Sequence, residues 1–221
     1  MHKEIKVKLS DVFLQKAISD KFESKLEFEV LGPSDIEKIA EREPDILFEI
    51  GAQAWMSYVE SGAKVNPRKL APHFDSGNPF LYQTVEKEMK RKVVQDIAFC
   101  YANIQDPMIK GQDFIQLLLC RTYPNDLFIA DVCFYNPYKP VPENERVYEL
   151  HFFKSLGLFG EHLKSIKTYC KENKINKITL TTSSNEQIPY FEKHGFKVDN
   201  TDFARHALAN GRSVPMHIKC I

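Results

Sequence analysis

Residues 181–196, TTSSNEQIPYFEKHGF, follow directly on the apolar run Ile178-Thr179-Leu180. They read as the end of a strand, a polar turn, a short helix opened by Asn185, and a glycine stop at Gly195 before a new strand starts at Phe196. Two adjacent aromatics, Tyr190 and Phe191, sit on that helix. Working outward, KITLTT (177–182) is a strand, and a helix from about residue 160 to 172 precedes it. Before the helix, RVYELHFF (146–153) alternates as another strand. A helix that joins two strands of one sheet is a crossover and makes them parallel.

Upstream, KLEFEVL (25–31) alternates like a strand, and PSDIEKIAERE (33–43) opens a helix with Ser34 and Glu37 in capping-box spacing. Ile46, Leu47, Ile50, Ala54, Met56 and Val59 keep a helical spacing up to Gly62. Val85, Met89, Val93, Ile97, Tyr101 and Ile104 continue the same spacing and predict a second long helix, with a loop holding Pro67, Pro72 and Pro79 between the two. The pattern then changes to DFIQLLLCRT (113–122) and DLFIADVCFYN (126–136), two strands joined by the turn YPND. A connection rich in proline, NPYKPVPENE (136–145), follows, and strands around FKVDN (196–200) and RSVPMHIKCI (212–221) close the chain. This order predicts an α/β (α+β) fold: a mixed, mainly antiparallel twisted sheet with helices on both faces. Residues 26–221 are expected to form one domain behind an N-terminal extension, 1–25.

Composition fits a packed domain, with 43% apolar and 12% aromatic residues in 221. Thirty basic and thirty acidic residues cancel, so bulk charge points to no nucleic-acid or membrane partner. The lysine stripe Lys164, Lys167, Lys171 and Lys174 is the pattern of a solvated helix face. Five cysteines without CxxC spacing read as reduced core thiols, and His73 and Asp75 lack a third ligand nearby, so no metal site is expected. No apolar run is long enough for a signal peptide or a membrane span, and the expected location is cytoplasmic.

The stretch KSLGLFGEHL (154–163) begins the crossover helix with glycines three apart, Gly157 and Gly160. Such a turn lets backbone N–H groups approach an anion at a helix N-terminus, although glycine also serves simply to make the turn. Together with NEQIPYFEKHGF, the segment from Val147 to Phe196 resembles the core of the GCN5-related N-acetyltransferase superfamily. The resemblance is carried by Asn185, Glu192, Lys193, Gly195 and Phe196, and by the preceding strand KINKITLTTSS. It implies acetyl transfer from acetyl-CoA to an amine, a small molecule or a protein, by direct attack in a ternary complex. It also implies a donor site along Phe152, Phe153, Lys154, Ser155, Leu156, Gly157, Leu158, Phe159, Gly160 and Glu161, with the pyrophosphate on the turn backbone. Asn185 would flank the acyl-pantetheine arm, and an aromatic hydroxyl would act as the acid toward the leaving thiolate.

The chain departs from the family pattern at two points. The glycine turn is intact in neither register, since Leu158 or Phe159 takes a position usually held by a small residue. The family's tyrosine position falls on Phe191, with Tyr190 one place earlier, a rotation of roughly 100° on a helix. Tyr190 is the only tyrosine of that segment and the candidate acid, while Glu149 in the strand RVYELHFF is the candidate base, with His151 two residues along. The alternative is a protein of the same fold that has lost catalysis and serves as a binding or regulatory module.

Overall fold

Alternating apolar residues build an eight-stranded sheet from β1 (Leu26–Leu31), β2 (Val94–Ile104), β3 (Ile115–Thr122), β4 (Asp126–Pro140), β5 (Phe153–Ser155), β6 (Lys177–Thr182), β7 (Lys197–Val198) and β8 (Val214–Lys219). The computed structural model describes residues 7–64, 66–109 and 114–220; residues 1–6 of the expected extension, Asp113 and Ile221 lie outside them. The hydrogen-bonded order is β1-β2-β3-β4-β6-β8-β7, with β5 added on β4. All pairs are antiparallel except β4 with β6. The expected mixed, mainly antiparallel sheet is therefore the architecture of this chain.

Helices cover both faces. One face carries α2 (Ile36–Arg42), α3 (Pro44–Glu60), α4 (Ala71–Asp75) and α5 (Leu81–Met89), and buries Ile50, Val85, Phe99 and Leu118. The other carries α6 (Phe159–Glu172) and α7 (Ile188–Glu192), and buries Leu163, Ile166, Phe191 and Phe196. The segment before β1 belongs to this second core. Leu9, Val12, Phe13 and Ile18, the last on α1 (Gln15–Ser19), are all buried there. Fully buried His162 ties that segment to α6: its Nε2 accepts from Leu14 N–H at 3.2 Å, and its Nδ1 lies 3.0 Å from Leu158 O.

The structure differs from the expectations at four points. The second long helix does not extend to Ile104: α5 ends at Met89, followed by Lys90 with φ 53°, and the chain enters β2 at Val94. Spacings of four, as between Val93, Ile97 and Tyr101, suit a strand of period two as well as a helix. In β2, Ile97, Phe99 and Tyr101 face one core and Ala98, Cys100 and Ala102 the other, as a central strand requires. The strand expected over 146–153 is confined to Phe153–Ser155; residues 147–150 form bends and turns. Between β7 and β8 lies a helix absent from the expected order of elements, α8 (Asp202–Asn210), which begins under the Thr201 side chain that accepts from Ala204 N–H at 3.1 Å. The capping oxygen at Gly32 is that of Asp35 rather than Ser34.

Candidate active site

The parallel pair β4–β6 decides where a ligand fits. It is held by three residue pairs, Leu127 with Ile178, Phe128 with Thr179 and Ile129 with Leu180. Beyond them β4 carries a bulge: Leu118 of β3 faces Asp131 while Leu119 faces Ile129, leaving Ala130 as the extra residue. A bulge bends its strand and increases its twist. Past it β4 runs on through Val132 and Phe134, while β6 continues against β8 through Thr181 and Thr182. The two strands thus form a fork. On the side of α6 and α7, between β4 beyond the bulge and the segment that follows β6, lies a cleft of about 320 Å³ lined by Val132, Phe134, Tyr148, Phe159, Tyr190 and Phe191, among others.

The crossover helix brings its N-terminus to this cleft. Gly157 adopts φ 73°, and its N–H bonds to Ser155 Oγ at 3.1 Å. The N–H groups of Leu158, Phe159 and Gly160 have no hydrogen-bond partner among the described residues. The bulky residues do not fill the turn. Leu158 is fully buried in the core, and Phe159 packs on Tyr190, Phe191 and His194, with ring centroids 5.8, 5.5 and 4.9 Å away.

The short helix α7 follows a 3-10 turn, Asn185–Gln187, and its phase sorts the two aromatics. Phe191 is buried in the core, whereas Tyr190 is 42% exposed and lines the cleft. Burial pushes the Tyr190 phenol above its usual range, with nearby Tyr148 adding to the rise. The hydroxyl therefore keeps its proton at neutral pH. Thr182 sits on the same side of β6 as buried Ile178 and Leu180, and its own buried hydroxyl lacks a partner among the described residues.

No protein-family model and no curated protein matches this sequence. Among solved structures, the chain is similar to one described as a "putative N-acetyltransferase from Lactobacillus plantarum", with 9% identity over 88% of this chain and 99% of that chain and a TM-score of 0.34. It is also similar to an acetyltransferase from Streptococcus agalactiae, with 15% identity over 90% of this chain and 100% of that one and a TM-score of 0.33.

The remaining sequence candidates divide. Ser155 and Phe159 join Tyr190 at the cleft, while Phe152, Lys154 and Glu161 are exposed and do not line it. Leu156 is buried, and Phe153 packs edge-on against Phe114 at 5.1 Å. Asn185 is engaged elsewhere: its N–H bonds to Gly211 O at 3.1 Å and its Nδ2 to Leu208 O at 2.9 Å, fastening the end of α8. Glu149 is exposed on a turn and is not among the cleft residues, which removes the strand setting that recommended it as a base. Its neighbours Tyr148 and His151, stacked at 5.0 Å, do reach the cleft. His151 Nδ1 accepts from Val147 N–H at 3.2 Å. Among the described residues no helix is long and apolar enough to cross a membrane, and no group of three His, Cys, Asp or Glu side chains is placed to hold a metal.

Proposed function

We propose that this protein is an acyltransferase of the GCN5-related N-acetyltransferase kind, which passes an acetyl group from acetyl-CoA to an amine. The observation that carries this reading is the fork: a parallel pair released after three residue pairs, with a helix N-terminus and a protonated phenol at its opening. A cleft of that volume lies at the lower end of the range of ligand pockets, roughly 300–1,000 Å³, and suits a thin acyl arm. The free N–H groups of Leu158, Phe159 and Gly160 and the helix dipole of α6 suit the donor's pyrophosphate.

In direct transfer the amine nitrogen bonds to the thioester carbon and the C–S bond breaks. An ammonium acceptor must lose one proton before attack; a second leaves the nitrogen as the intermediate collapses. Tyr190 donates to the departing sulfur and recovers that second proton from the nitrogen, so one proton is released overall. Holding both reactants in the fork supplies much of the rate.

The test is the release of CoA thiol with a panel of amines. Tyr190→Phe is expected to lower turnover by about 10²–10⁴-fold, as for a lost acid–base group, with little change in acetyl-CoA affinity. Turnover within about twofold of the unmodified protein would remove Tyr190 from the mechanism. One feature favours a second reading, binding without transfer: the connection after β4 lays Tyr148 and His151 against the cleft. Acetyl-CoA binding with no acetylated amine under any condition would select it.

A further inference from the structure

The opposite face of the fork holds a second cavity, of about 480 Å³, between α3, β6 and the β7–α8 segment. Its polar side chains include the carboxylates of Glu49, Asp126 and Asp199. Two of these are matched. Asp126 lies 3.7 Å from Lys177 Nζ, and Asp199 bonds to His217. Glu49 is not: it is half-buried, and its only hydrogen-bond partners among the described residues are neutral. Thr181 Oγ1 donates to Oε1 at 2.8 Å and Gln53 Nε2 donates to the same oxygen at 3.0 Å, so Oε2 stays uncommitted. A carboxylate oxygen that faces a cavity without a cationic partner is a place where a cation adds a charge-assisted hydrogen bond. The neighbouring surface is aromatic: Phe48 and Phe74 meet edge to face at 5.7 Å, and Phe203 of α8 completes the wall while 48% exposed.

We propose that this cavity binds an organic ammonium ion with an aryl or alkyl tail, its charge on Glu49 Oε2 and its tail against Phe48, Phe74 and Phe203. The site stands on its own geometry; only the fate of the ligand rests on the transferase reading. For that fate the location is apt. Thr181 follows Leu180, the last β6 residue paired with β4, so Glu49 is anchored where the fork opens, on the face opposite Tyr190. There the bound amine is the acceptor: Glu49 takes the first proton from the ammonium, and the nitrogen then attacks as described above.

The experiment is calorimetry on the full chain without any acyl donor, with phenethylamine as the probe and 2-phenylethanol as its uncharged counterpart. Phenethylamine is expected to bind at least about tenfold more tightly than the alcohol, and Glu49→Gln to weaken it by at least about tenfold. Phe203→Ala, a change on a half-exposed helix, is expected to weaken amine and alcohol alike. Should Glu49→Gln not fold, Thr181→Val removes the donor that fixes the carboxylate and is expected to weaken the amine selectively. Equal affinity for amine and alcohol, absence of amine binding, or full amine affinity in the folded glutamine variant overturns the proposal. If amines bind through Glu49 while acetyl-CoA does not bind, the site stands and the transferase reading falls.

Discussion

Replacing Gly51 by alanine tests how closely α3 and α5 are packed beside the sheet. A β-carbon at residue 51 would lie 2.6 Å from Tyr82 N, 3.0 Å from Tyr82 Cα and 3.1 Å from the Leu81 carbonyl carbon. Ordinary contact begins near 3.4 Å, so the helices must part by about 0.8 Å at this point. The obstacles are backbone atoms and cannot swing away as a side chain would. Overpacking costs about 1–3 kcal/mol, and a rigid obstacle places this site near the upper figure. Alanine returns about 1 kcal/mol as a better helix former. The net loss is about 2 kcal/mol, which lowers the melting temperature by about 4–8 °C for a chain of this size. Circular dichroism melts of the variant check this, with Gly32→Ala as the control. Gly32 has extended backbone at φ −123°, and no atom lies within 4 Å of a β-carbon there, so the control is expected within about 0.5 kcal/mol of the unmodified protein. A Gly51→Ala protein that melts at or above the unmodified temperature refutes the close packing of the two helices.

Glu149→Gln is expected to leave any acetylation rate within about twofold across pH, because this carboxylate stands on an exposed turn away from the cleft; a selective loss at low pH would restore it as the base. His162 links stability to pH. Burial holds its pKa below the ordinary 6.5, so the unfolded chain takes up a proton before the folded one does. Its contribution is complete above about pH 6.5 and is lost as pH falls toward the folded value. A protonated Nε2 would also turn an N–H toward the Leu14 N–H that it now accepts from. Urea midpoints are therefore expected to drop more steeply on acidification for the unmodified protein than for His162→Gln, and parallel curves would show that the ring does not titrate differently on folding.

Most of the sheet was legible because its strands alternate or are flanked by turn residues, as in Ile115–Thr122 and Asp126–Pro140 around YPND. β2 was hidden because Val85, Met89, Val93, Ile97 and Tyr101 are spaced by four, a number common to both periods. The break was nonetheless present in Lys90, Arg91 and Lys92, and in the dense aliphatic and aromatic content beyond them. RVYELHFF alternates convincingly, yet a strand needs a partner, and the register records only Ser155 opposite Tyr135 and Phe153 opposite Pro140. The α8 helix carried a readable start at Thr201 and a stop at Gly211. At the site, the glycine turn and Tyr190 could be located from local patterns, but which of Tyr190 and Phe191 faces the cleft depends on the phase set by the preceding 3-10 turn. Glu49 could not have been found this way, since its partner Thr181 is 132 residues distant in sequence and the pair exists only once the sheet has formed.

The claim that the fork between β4 and β6 receives an acyl-CoA is tested most directly by titrating acetyl-CoA into the protein in a calorimeter. Saturable binding at a single site is expected. Val132→Phe, which places a ring in the cleft, is expected to weaken that binding at least about tenfold while the protein keeps its cooperative melt. No detectable binding at millimolar acetyl-CoA, or undiminished affinity in the folded Val132→Phe variant, would contradict it.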